Sequence, residues 1–130
     1  EFFATGGGWF TSPDGSLASD PYWSGKATFG LSAQYEPGMP MPTGSLDVNL
    51  VRGGFTASAT TVDWLLVSGD TARFAGPAMV NGEPGYTFHV TVTDGGKKDD
   101  MIAIVITDSG GDIVYDSDGA RPVKGQLTIH

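Results

Sequence analysis

The residues best suited to chemistry in this chain are aromatic rings beside turns, clustered aspartates and two histidines. Tyr22 and Trp23 stand side by side between Asp20-Pro21 and a strand-like run. Successive side chains of a strand point to opposite faces, so two adjacent rings cannot both enter one core. Ala27, Phe29 and Leu31 set an inward phase on odd positions. Extended backward, that phase turns Trp23 in and Tyr22 out, although Ser24-Gly25 can break the register. At least one ring is expected to meet solvent. Pyranose rings present apolar C–H faces that stack on aromatic planes, and their hydroxyls need polar partners at the rim. Trp23 and Tyr22 are therefore the expected platform, with Asp20, Ser24 and Gln34 as the rim and Trp9 as a further ring. The structural alternatives are a lid formed by both rings and a core plug formed by Trp9. Trp64 shares a face with Val62 and Leu66 and is expected in the core. Tyr35, Tyr86 and Tyr115 fall at strand ends, where a ring packs while its hydroxyl reaches water.

Aspartates gather toward the C-terminal third, and calcium needs several carboxylate and carbonyl oxygens from loops. Asp94-Gly-Gly-Lys-Lys-Asp-Asp100 and Tyr115-Asp-Ser-Asp-Gly119 each supply part of such a shell, without the EF-hand spacing. Asp94, Asp99 and Asp100 are the preferred ligands of a structural calcium ion, because the glycines beside them let carbonyls turn inward. Turn capping by aspartate is the competing reading.

Catalysis is not expected. His89 and His130 fall on polar strand phases, and no Gly-x-Ser-x-Gly elbow, His-Glu-x-x-His pair or phosphate-binding glycine loop occurs. Carboxylate pairs that could hydrolyse a glycoside arise by chance among fifteen acidic residues.

The elements that must hold these residues are strands. Twenty glycines and eight prolines in 130 residues break helices and build turns. Lys26 to Tyr35 alternates apolar and polar with a period of two, as do Ser45 to Val51, Phe55 to Thr60 and Tyr86 to Thr93. Thr61 to Ser68 is more apolar, and Met101 to Ile106 is apolar on both faces, the pattern of a covered central strand. Thr71 to Ala75 and Ala78 to Val80 read as two short strands around Gly76-Pro77. Asn81-Gly82 signals a hairpin whose loop Glu83-Pro84-Gly85 lengthens. The prolines of Glu36 to Gly44 forbid ladder pairing and make a connector. Short strands at Asp112 to Tyr115 and Val123 to His130 complete the set. The expected fold is all-β, one antiparallel jelly-roll-like β-sandwich of roughly eight to ten strands spanning residues 1–130.

Charge narrows the partners. The net charge is −8, and the seven basic residues are scattered along the sequence apart from Lys97-Lys98. Nucleic acid and anionic membrane both need clustered Lys and Arg, so neither is expected. A neutral polymer or a cation fits better. Cysteine is absent, which excludes disulfides and thiolate metal sites. The chain opens on Glu1-Phe2-Phe3, and it reads as a module of a larger secreted protein.

"GGGWF", "GKATFGLSAQY", "PTGSL", "VDWLLVSGDTARFAG", "NGEPGYTFHVTVTDG", "DDMIAIVITDSGGDIVYD" and the terminal "GQLTIH" together resemble the C-terminal β-sandwich modules of large secreted bacterial proteins. The resemblance runs from Gly6 to His130 and implies a fold without catalytic residues. The same architecture resembles carbohydrate-binding modules appended to cellulase-type glycoside hydrolases, often with a structural calcium. That pattern covers Gly25 to Gly30 and Asp63 to Val67 but not Tyr22-Trp23. It implies a non-catalytic domain that binds β-glucan or cellulose and targets a neighbouring hydrolase. The alternative is a structural or spacer module of a secreted or cell-surface protein.

Overall fold

The computed structural model describes residues 3–95 and 100–129. Within them the chain is all-β and antiparallel, as the alternation predicts. The strands are β1 (Phe3–Ser12), β2 (Gly25–Gln34), β3 (Thr43–Leu50), β4 (Phe55–Ala59), β5 (Trp64–Ser68) and β6 (Thr71–Val80), then β7 (Glu83–Thr93), β8 (Met101–Thr107), β9 (Ile113–Asp116), β10 (Arg121–Pro122) and β11 (Lys124–Ile129). They form one sheet in the order β10-β8-β7-β6-β4-β3-β2-β1-β11, with β5 added to β6 and β9 to β8. The sheet curls into a half-barrel, a sandwich-like arrangement with one shared core.

Its curvature follows from connectivity. β10 pairs with β8 at one end of the strand order and β11 pairs with β1 at the other, yet only Val123 separates them in the chain. The two ends of the sheet are thereby drawn together. Asp100 fastens the junction: its carbonyl accepts the Val123 N–H at 2.9 Å, and its carboxylate accepts the N–H groups of Gly95 at 3.1 Å and Leu127 at 3.2 Å.

The buried positions of β2, β3 and β8 carry apolar side chains. Ala27, Phe29, Leu31 and Ala33 of β2 face Leu46, Val48 and Leu50 of β3, while Phe74 and Phe88 meet edge to face at 5.8 Å. Ile102, Ile104 and Ile106 of β8 are fully buried, and each such side chain contributes about 1.5–3 kcal/mol. Met101, Ala103 and Val105 on the other face of β8 are half-buried, so this strand is covered on one side more than the other.

β1 forms where no strand is expected, β3 begins at Thr43 within the expected connector, and the region of Gly76 to Gly85 also differs from expectation. β6 runs unbroken through Gly76-Pro77, because Pro77 is exposed and Gly76 serves packing. A Cβ on Gly76 would lie 2.7 Å from the Thr61 carbonyl oxygen and 3.2 Å from Val62 Cα, so its absence lets the segment 61–63 cross against β6. The β6–β7 hairpin needs no lengthened loop either. Val80 pairs with Glu83 around a two-residue turn, with φ of 51° at Asn81 and 82° at Gly82, the conformation that Asn-Gly favours.

Tyr115 is also placed differently. Its ring is fully buried rather than at a wet strand end, and its hydroxyl bonds Ser12 Oγ at 2.8 Å, which bonds Ser16 Oγ at 2.8 Å. Burial pushes the Tyr115 phenol up to about 12. The segment 13–24 lies against this strand, with Leu17 bridged to Tyr115 and the Ala18 N–H donating to the Val114 carbonyl.

Candidate aromatic binding surfaces

The segment 13–24 fixes Trp23 and Tyr22 in opposite environments. The Gly15 N–H donates to the Pro21 carbonyl, the Asp20 N–H to the Leu17 carbonyl and the Trp23 N–H to the Asp20 carbonyl. Trp23 is thereby turned into the core, 8% exposed, and its Nε1–H donates to the Val51 carbonyl at 3.1 Å. The odd-position phase of β2 therefore continues through Ser24-Gly25. This corrects the expectation of Trp23 as a solvent-facing platform: both its ring and its one polar atom are used by the fold. Tyr22 is 93% exposed, and Asp20 is exposed on the same segment. Gln34 lies exposed at the far end of β2, paired with Phe3 and Thr43, and donates to Glu36 Oε1 at 3.4 Å. Asp20, Tyr22 and Trp23 thus share one segment but face opposite environments, and Gln34 lies at the other end of β2.

The uncovered indole is Trp64, contrary to its expected place in the core. It is 39% exposed and leads β5. Val62 and Leu65 are both buried, three residues apart, so the inward phase shifts between them. The cause is the crossing of 61–63 against Gly76, after which Asp63 N–H bonds the Ala75 carbonyl and β5 begins. Leu65 then faces in, and Trp64 and Leu66 face out.

Across the sheet, Trp64 is opposite Ala75, and Ala75 is opposite His89. The small methyl of Ala75 lets the indole lean toward the imidazole, with ring centroids 6.0 Å apart and planes at 60°. The next row is Leu66, Arg73 and Thr91, and the following one is Ser68, Thr71 and Thr93. Leu66, Ser68, Thr71 and Arg73 line a shallow recess of about 390 Å³ beside the indole. Apolar ring surface, a guanidinium and hydroxyls therefore share one outward face of β5, β6 and β7. A face of this kind can stack a planar apolar surface and hydrogen-bond its edges.

Trp9 projects from the outer face of β1, half-buried, between Thr28 of β2 and Lys124 of β11. Lys26 Nζ lies 4.5 Å from its ring centroid.

Of the expected calcium ligands, Asp94 and Asp100 lie among the described residues. Asp99 lies outside them. Both carboxylate oxygens of Asp100 accept backbone N–H groups, and no group of three or more metal-ligating side chains occurs among the described residues. On the other acidic loop Asp116 Oδ1 accepts the Asp118 N–H at 2.9 Å, and in the β8–β9 turn Asp108 takes the N–H groups of Gly110 and Asp112, the turn-capping use of aspartate. Comparison with protein-family models, curated proteins and solved structures finds no match to this chain.

Proposed function

We propose that this chain is a non-catalytic binding module for neutral polysaccharide of the β-glucan or cellulose type, carried by a secreted protein beside a glycoside hydrolase. The observation that carries the reading is the exposed Trp64 indole, braced against His89 over Ala75 on an extended strand face. A pyranose laid on the indole exchanges ordered water for C–H contact with the ring. Arg73, Thr91 and Ser68 are spaced along neighbouring strands to take its hydroxyls. Because the face is built on strands, the groups are held before the ligand arrives, which lowers the ordering entropy of binding. Tethering would then raise the concentration of the attached hydrolase at its substrate.

Affinity electrophoresis in gels containing soluble β-glucan tests this. Retardation of the native chain is expected, and Trp64→Ala should weaken it about tenfold, roughly 1.4 kcal/mol, with an unchanged thermal midpoint. A native chain that no neutral glucan retards would overturn the reading in favour of a structural spacer.

A further inference from the structure

Three of the seven basic residues, Lys26 and the distant pair Arg121 and Lys124, meet around Trp9. Lys26 caps the ring and Lys124 is its neighbour on β11. Arg121 lines a groove of about 370 Å³ together with Trp9, Thr11, Pro13, Pro122 and Lys124. The guanidinium is held in place: Nε donates to the Ser117 carbonyl at 2.7 Å, and Nη2 to the Asp118 carbonyl at 3.0 Å and Asp118 Oδ2 at 3.3 Å. Nη1 makes no such bond among the described residues. Asp118 is also, among the described residues, the one carboxylate ion-paired with any of the three cations. In a chain where acids outnumber bases fifteen to seven, this is a local inversion of charge around an aromatic wall.

We propose that this groove is a second binding site, specific for a carboxylated sugar of a uronate-containing polysaccharide. A neutral sugar stacking on the ring face that Lys26 caps would displace the ammonium into water and lose its contact with the ring without giving the charge a new partner. A uronate draws the same ammonium off the ring into a charge-assisted bond with its carboxylate and takes the freed indole face for its own C–H surface. Lys124 and the unused nitrogen of Arg121 flank the path of a further carboxylate along the chain, and Thr11 supplies a hydroxyl partner. The site does not depend on the Trp64 face.

Calorimetric titration tests it with three probes: tetragalacturonate, the same oligomer methyl-esterified, and an oligoglutamate of equal charge. Tetragalacturonate should bind, and added NaCl should weaken it, since screening acts on exposed charges. Methyl esterification should weaken binding at least about tenfold, as should Lys26→Gln with Lys124→Gln, two exposed changes whose folding is checked by thermal midpoint. Trp64→Ala should leave it unchanged. Absence of binding, equal affinity for the ester, or indifference to the double substitution would each overturn the proposal. Equal affinity for oligoglutamate would also overturn it and assign the groove to acidic peptides.

Discussion

Tyr115 holds a phenol in the core by bonding it to Ser12, and the burial that secures the ring also opposes its ionisation. The unfolded phenol titrates near 10 and the folded one near 12. Below pH 10 both states are protonated and Tyr115 contributes its full stability. Between 10 and 12 only the unfolded state loses the proton, so stability falls with pH, by an amount on the order of 2–3 kcal/mol. Urea unfolding measured across pH 9 to 12 should show that decline, and Tyr115→Phe should remove the part due to this residue, whatever it loses at neutral pH. An unaltered slope in the variant would contradict the assignment. The inward phase of Trp23 was readable from Ala27, Phe29 and Leu31, because one unbroken alternation connects them. The exposure of Trp64 was not, because Val62 suggests a phase that the crossing at Gly76 resets three residues later. An indole's environment depends on that tertiary contact, which local pattern does not carry.

At the scale of elements, the glycine run of β1 acquires a structural cause. Gly8 and Gly125 face each other across β1 and β11 with φ of 151° and 152°. A Cβ on Gly125 would collide with the Gly7 carbonyl oxygen and lie 2.7 Å from Gly8 Cα; one on Gly8 would lie 2.8 Å from Gly125 Cα. The strands approach at a distance that only glycine permits. Gly125→Ala should therefore destabilise the fold by roughly 2 kcal/mol or more, read as a lower urea midpoint at constant m-value. By contrast Gly30→Ala, at an open position without a positive φ, should be close to neutral. Stability equal in the two variants would contradict the close approach. Sequence alternation located β2 to β9 and β11, since half-burial imposes a period of two wherever one face is covered. It assigned no strand to β1, whose glycine run carries no such pattern, nor to the short β10. It misread β6, where glycine and proline lie inside a strand: the glycine admits a crossing segment, and the proline ring is exposed.

For the molecule as a whole, the all-β antiparallel class follows from composition and periodicity, whereas the closure of the sheet does not. It depends on Val123 carrying the chain from one end of the strand order to the other, and on Asp100 accepting amides from Gly95 and Leu127. The net charge of −8 likewise describes the average surface and conceals the basic surroundings of Trp9. Three tryptophans in three environments make the functional proposal directly measurable: Trp23 is buried and bonded to Val51, Trp9 lies under Lys26, and Trp64 is open on the strand face. Each indole N–H gives its own proton–nitrogen NMR signal, assignable by single Trp→Phe substitutions. In a titration with cellohexaose, the Trp64 signal is predicted to shift progressively to saturation, while the Trp23 signal stays in place. A Trp64 signal that does not move at saturating oligosaccharide would contradict the account.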